Sequence, residues 1–239
     1  MSGHSHAKTI KHAKDLTDQK RGKIFSKIAR MLTVAAKEKG GDPNTNYPLK
    51  IAMERAKEAS MPTDNIDKAI KRGTGELAGE AQLEEVLYEG YGPGGIAIVI
   101  EGITDNKNRS LAEVKQVLNQ NGGKMVGEGA VMWMFERKGI IEIELASQTV
   151  SKEDLEIKTI EAGAEDTRLD EEFLNVYTKV EDLEQTKKVL EEQGIKIESA
   201  GPGFVAKEMV DVQEREACEK LFDALDENDT VQGIYWNLK

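Results

Sequence analysis

A single cysteine in 239 residues, Cys218, excludes an internal disulfide and any metal clip built from paired thiols. Its context, EREACEKLFDAL, predicts a packed helix position and not a nucleophile. Long hydrophobic runs are also missing. The longest, near Ile96 to Ile100 and Val131 to Phe135, fall far short of the roughly 18 residues a membrane span needs, so no membrane anchor is expected. The first fourteen residues, MSGHSHAKTIKHAK, are basic but lack the apolar stretch of a secretory signal, which predicts a cytoplasmic protein. Aromatic residues make up 5% of the chain and none lies in residues 1–24, so no base-stacking platform is expected there. The TDNKNRS stretch at residues 104–110 shows no nucleophile and base pair, and the acids downstream are spread over every helical segment. No catalytic residue, cofactor or metal is therefore assigned, and an enzyme working through acidic clefts is the weakest reading.

What is abundant is charge, at 32% of residues, and it is unevenly placed. Residues 1–75 carry 12 Lys and 4 Arg against 8 Asp and Glu, a balance of +8; residues 76–239 carry 17 basic against 36 acidic residues, a balance of −19. The two sum to the net charge of −11. Such a division predicts a basic module that meets a polyanion, carried on an acidic body that is repelled by it. The competing reading is a merely solvated surface, and the position of the cations separates the two.

Residues 1–22 hold all three histidines and few large apolar side chains, and they read as an arm. His4, His6 and His12 on such an arm lack the rigid support a metal needs, so contact with nucleic acid is the preferred reading. From Lys23 to Lys39 the residues Ile24, Phe25, Ile28, Met31, Leu32 and Ala35 form one apolar stripe at helical spacing. Lys23, Lys27 and Arg30 fall within about 60° of one another on a separate face. YPLKIAMERAKEA predicts a second helix with Leu49, Met53 and Ala56 inward. MPTDNIDKAIKRG predicts a third, capped by Thr63 and Asp64, with Ile66 and Ile70 inward and Lys71-Arg72 at its end. The cations expected to neutralise phosphate are Lys8, Lys11, Lys14, Lys20, Arg21, Lys23, Lys27, Arg30, Lys71 and Arg72, with His12 beside them.

After the Gly-rich stretch GTGELAGEAQ, strands are expected near 84–91, 95–103 and 131–136, with a helix at 109–121. Residues 139–200 then follow the order β-α-β-β-α-β, the pattern of a ferredoxin-like unit. A strand in GPGFVAKEMVDV, a helix at 212–225 and a strand at 231–236 complete the chain. Gly92-Pro93-Gly94 and Gly201-Pro202-Gly203 each precede a strand and then a helix, a weak echo that suggests two halves of one domain. The expected fold is α+β: a three-helix basic bundle (1–75), a discontinuous α/β domain (80–137 with 201–239), and an inserted acidic ferredoxin-like domain (138–200).

GYGPGG at residues 90–95 has the G-x-G-x-x-G spacing of phosphate-binding loops. A strand follows it instead of a helix and no Gly-Lys-Ser/Thr is present, so a turn between two strands is expected. In TDNKNRS, Asp105 and Asn106 suit a helix cap, and Arg109 is the candidate for a partner contact. Tyr91, Gly92, Pro93 and Gly94 form a second candidate contact loop.

Five stretches, GHSHAKTIKHAK, KRGKIFSKIARMLTVAAKEKGGDP, AKEASMPTDNIDKAIKRGTGE, YEGYGPGGIAIVIEGITDNKNR and GEGAVMWMFERKG, together resemble the YebC/PmpR family of transcriptional regulators, which includes mitochondrial translational activators. The resemblance implies a cytoplasmic, non-enzymatic protein of three domains; a monomer or weak oligomer that meets no membrane is expected. It also implies nucleic-acid binding, either to promoter DNA or, as a ribosome-associated translation factor, to ribosomal RNA near the site of peptidyl transfer, where the protein would relieve stalling at proline runs. The family arm usually reads Gly-His-Ser-Lys-Trp and Lys-His-Arg-Lys, whereas this chain has His6-Ala7 and Ala13 and so lacks the arm tryptophan, a lysine and an arginine.

Overall fold

The computed structural model describes residues 7–8, 18–77, 82–170 and 172–239, with side chains described from Arg21 onward. The elements are β1 (Ala7–Lys8), α1 (Asp18–Lys39), α2 (Tyr47–Glu58), α3 (Thr63–Gly73), β2 (Glu84–Tyr91), β3 (Ala97–Thr104), α4 (Lys107–Gln120), β4 (Lys124–Val126), β5 (Phe135–Glu144), α5 (Lys152–Glu161), β6 (Asp166–Leu169), β7 (Phe173–Thr178), α6 (Leu183–Glu192), β8 (Ser199–Ala206), α7 (Arg215–Asp226) and β9 (Val231–Trp236). Helices and two sheets, ordered β1-β9-β3-β2-β4 and β6-β7-β5-β8, make this an α+β fold. The described chain divides into two compact units. The first holds Thr9–Ala130 together with Val212–Ile234; the second holds Ala7–Lys8, Val131–Asp211 and Tyr235–Lys239.

In the first unit α1, α2 and α3 enclose their own apolar core. Ile28, Leu32, Ala35, Leu49, Ala52, Ala56, Ile66 and Ala69 are buried there, and Ile24, Phe25, Met31, Met53 and Ile70 pack around them. The helical spacing of these residues is what commits the segments to amphipathic helices. Asn46, fully buried, joins the first two: its amide Nδ2 donates to the carbonyls of Ala35 and Gly40 at 2.7 Å each, and its Oδ1 accepts from Leu49 N at 3.1 Å. The start of α3 differs from expectation. Pro62 holds the cap position with no side-chain cap, and Thr63 is the first helical residue. The Pro62 carbonyl accepts from Asn65 N at 2.9 Å, and proline's fixed φ already aims the chain into the helix.

α3 meets α1 at Gly73. A Cβ there would lie 2.3 Å from the Thr33 carbonyl oxygen and 2.7 Å from Ala36 Cβ. Gly73→Ala is expected to cost about 2 kcal/mol by overpacking, read as a lower urea midpoint with unchanged slope.

β2 and β3 form an antiparallel hairpin in which Tyr91 faces Ala97 and Glu84 faces Thr104. GYGPGG is its turn, as the sequence predicts: Gly92 N donates to the Ile96 carbonyl at 2.8 Å and Gly95 N to that of Gly92 at 3.0 Å. These N–H groups are spent within the turn and point at no ligand. Gly94 has φ +68°, and a Cβ on it would lie 2.8 Å from Val212 Cβ, so the turn requires glycine there twice over.

In the second unit β5-α5-β6-β7-α6-β8 has the connectivity of a ferredoxin-like domain, antiparallel throughout its three strand pairs. Ile141, Ile143, Leu155, Leu174, Val176, Leu183 and Leu190 form its core. Two expectations are corrected here. The segments 131–136 and 139–145 are one continuous strand from Phe135, preceded by a 3-10 turn at Met132–Met134. Gly139 lies within this strand and does not break it, because a Cβ at that point would lie 2.3 Å from Thr178 Oγ1; its glycine serves close packing. The last strand of the unit is Ser199–Ala206 where 195–200 was expected, and Gly201-Pro202-Gly203 lies inside it, opposite Ile140, Gly139 and Lys138. Proline is tolerated because β8 is an edge strand. The two Gly-Pro-Gly stretches are therefore structurally unlike, one a turn and one a strand.

Candidate nucleic-acid interface

Of the cations expected to meet phosphate, Lys11, His12 and Lys14 lie outside the described residues, and Lys8 and Lys20 are described only in their backbone. His4 and His6 also lie outside them. Among the described residues no group of three or more His, Cys, Asp or Glu could hold a metal ion, and no helix is long and apolar enough to cross a membrane.

The stripe of Lys23, Lys27 and Arg30 is not the solvated face that its helical spacing predicts. Its exposure is corrected by three sets of contacts within the first unit. Lys23 Nζ bonds to the Glu227 carboxylate. That hydrogen bond is the main reason its ammonium is held above its ordinary pKa, against a smaller opposing cost of burial and with added attraction from Glu227, Asp229 and Asp226. Lys27 is 4% exposed, and its Nζ donates to the Asp226 carbonyl at 2.6 Å and to Asp226 Oδ1 at 3.0 Å. Arg30 Nη1 donates to the carbonyls of Ile103 at 3.1 Å and Asp229 at 3.0 Å. The receiving turn, Asp226-Glu227-Asn228-Asp229, follows directly on the last residues of α7. The negative end of that helix dipole adds to its carboxylates. No local signal could have shown this, since Lys27 and Asp226 stand 199 positions apart.

The other expected cations with described side chains lie elsewhere. Arg21, near the start of α1, is exposed, as are Lys71 and Arg72 in the last turn of α3. Lys68, also exposed, was not among the expected residues, although its spacing from Lys71 and Arg72 at i+3 and i+4 puts it on the same outward face. Asn65 is exposed on that face too, three residues before Lys68 and seven before Arg72. The inward side is fixed by Ile66, Ala69 and Ile70 against the bundle core, so Asn65, Lys68 and Arg72 form a continuous outward stripe.

The two loop candidates are structural first. Asn106 caps α4, its Oδ1 accepting from Arg109 N at 3.1 Å, and the Arg109 guanidinium pairs with the Asp105 carboxylate and, at 3.8 Å, with Glu113. In the other loop Gly92 and Pro93 are buried, Tyr91 is half-buried and Gly94 is exposed. The hairpin register keeps the two loops apart, since they lie at opposite ends of a pair seven residue steps long, about 24 Å. They do not make one surface.

Residues 5–76 match the TACO1/YebC protein N-terminal domain, and residues 83–238 match the TACO1/YebC second and third domain. The chain belongs to the TACO1/YebC family. A relative from Halothermothrix orenii, named probable transcriptional regulatory protein, is 46% identical over 99% of this chain and 94% of its own. Another of that description from Chlorobaculum tepidum is 48% identical over 100% of this chain and 95% of its own. A crystal structure of a conserved hypothetical protein from Aquifex aeolicus superposes with TM-score 0.87 at 43% identity, covering 98% of this chain and 97% of that one. Within the TACO1/YebC N-terminal domain of this chain, the candidate contact cations with described side chains thus fall into two groups. Lys23, Lys27 and Arg30 of α1 are engaged within their own unit, whereas Arg21 of α1 and Lys68, Lys71 and Arg72 of α3 are exposed.

Proposed function

We propose that this chain is a non-enzymatic, cytoplasmic regulatory factor that binds nucleic acid, and that its function is DNA-linked control of transcription. The observation that carries the reading is the outward stripe of α3, where Asn65, Lys68 and Arg72 share one exposed face with Lys71 beside them. Lysine and arginine supply phosphate neutralisation. Asparagine offers an amide that can pair with the N6 and N7 edge of adenine, so the stripe combines positioning with readout. The name carried by the relatives supports the same reading.

A second reading, a translation factor on ribosomal RNA, is favoured by the shortness of α3. Its 11 residues span about 16 Å, enough for only a short duplex site in one copy. Phosphate contacts on DNA and RNA look alike, so the decision falls to experiment. Selection from a random duplex pool should yield a preferred sequence bound about a thousandfold or more above random DNA. If the pool yields no preferred duplex while the protein co-sediments with ribosomes after DNase treatment and leaves them as salt rises, the transcriptional reading fails and the translational one replaces it.

A further inference from the structure

We propose that the turn Asp226-Glu227-Asn228-Asp229 acts as an internal polyanion that occupies the cationic face of α1, so that nucleic acid must displace it before Lys23, Lys27 and Arg30 can take up phosphate. The inference rests on the nucleic-acid reading above and adds to it a regulated second set of contacts.

The turn presents to α1 what a phosphate backbone would present. Two carboxylates and three backbone carbonyls, all at the negative end of α7, receive the Nζ of Lys23, the Nζ of Lys27 and the guanidinium of Arg30. These contacts are graded in accessibility. The Lys23 and Glu227 side chains are 44% and 59% exposed, so water and ions reach the outer pair freely; Lys27 is 5% and Asp226 40% exposed, so the inner pair is sheltered. An approaching polyanion can therefore exchange with Glu227 first. An exposed pair of this kind contributes little to stability and is screened by salt, which makes the outer contact the easy step.

Arg30 supplies the gain that favours exchange. Its described bonds go to neutral carbonyls, of Ile103 and Asp229, so its charge has hydrogen-bonding partners but no carboxylate in contact among the described residues. A phosphate oxygen makes a charge-assisted bond with a guanidinium that is about twice as strong as a bond to a neutral acceptor. The bundle can leave without unfolding, because α1, α2 and α3 enclose a core of their own. The turn, in contrast, is fastened: Ile103 N donates to the Thr230 carbonyl at 2.8 Å and Val231 N to that of Asn228 at 3.1 Å. Opening is thus a movement of the α1 face away from a fixed turn.

The test measures salt dependence, which a purely structural contact would not alter. The full-length protein is titrated against a 20-base-pair random-sequence DNA duplex and against an RNA hairpin of equal phosphate number, by fluorescence anisotropy over a series of salt concentrations. The variant Asp226→Asn/Glu227→Gln should bind about tenfold or more tightly at low salt. Its plot of log affinity against log salt should steepen by about 2 to 3, one unit for each newly recruited phosphate contact. Adding Lys23→Gln, Lys27→Gln and Arg30→Gln to that variant should return the slope to the wild-type value. Glu191→Gln/Glu192→Gln on α6 removes the same charge from an exposed site and should leave the slope unchanged. Glu227→Gln alone changes one exposed residue and should steepen the slope by about 1, so the test survives if the double variant folds poorly.

Wild-type binding with an unchanged slope in both turn variants overturns the latch and leaves the nucleic-acid reading standing. A control that gains as much as the turn variants also overturns it, because the gain would then be net charge alone. Absence of binding to either probe by wild type and turn variants alike overturns the nucleic-acid reading, and the latch with it.

Discussion

Reversing the three cations of α1 together, Lys23→Glu, Lys27→Glu and Arg30→Glu, should lower the thermal midpoint by about 10 °C. The periodicity of α1 taken alone predicts the opposite, since three residues on a solvated face contribute little to stability. The structure changes that expectation through Lys27, which is 4% exposed and bonded to both the carbonyl and the carboxylate of Asp226. Removing one member of a buried pair leaves the other uncompensated, at a cost of about 3 to 5 kcal/mol. Asp226 keeps 40% of its side-chain surface in water, which argues for the lower figure. At about 2 to 4 °C per kcal/mol for a protein of this size, roughly 3 kcal/mol gives the stated shift. The carbonyls of Ile103 and Asp229 would also lose their shared donor. Scanning calorimetry should show either the lowered midpoint or two separated transitions, because the bundle has its own core and can melt independently once released. A single transition at the wild-type temperature would show that the α1 contacts contribute nothing to the fold.

The parts of the molecule that the sequence displays clearly are those governed by local periodicity. Ile28, Leu32, Leu49 and Ile66 recur at helical spacing, and all four are buried in the bundle core. The strands 84–91, 173–178 and 231–236 coincide with their apolar or alternating runs. Glycine and proline were less readable, because one residue type serves different ends. In GYGPGG they make a turn, whereas Gly139, Pro202 and Gly203 lie within paired strands, where close packing and an open edge decide their place. Charge was the least readable property. Helical spacing shows that Lys23, Lys27 and Arg30 share a face. It cannot show that a turn some 200 residues further on supplies the counter-charge, since that depends on the tertiary fold alone. Lys68, by contrast, was accessible by the same spacing rule applied backwards from Arg72.

Replacing Lys68, Lys71 and Arg72 together by glutamine should weaken nucleic-acid binding by about 10²- to 10³-fold at 0.1 M salt, the largest single effect on binding expected in this protein. Each lost phosphate contact reduces the slope of log affinity against log salt by about 0.9, so the three together should flatten it by nearly 3. All three side chains are exposed, and Lys71 and Arg72 forfeit the favourable interaction of basic residues with the end of α3. That loss is about 0.3 to 1 kcal/mol for each of the two, so the thermal midpoint should fall by only a few degrees. The weakening would then be assigned to binding and not to unfolding. Asn65→Ala separates the two readings of the stripe, because asparagine adds no charge and leaves the phosphate contribution intact. If α3 reads a duplex, this change should cost about 1 to 3 kcal/mol on the preferred sequence, leave random DNA unaffected, and relax selection at one adenine. If the ligand is instead RNA recognised through its backbone, Asn65→Ala should lower affinity equally for all probes or not at all, while the triple glutamine variant still loses binding. An unchanged salt slope in the triple variant would remove α3 from the interface altogether.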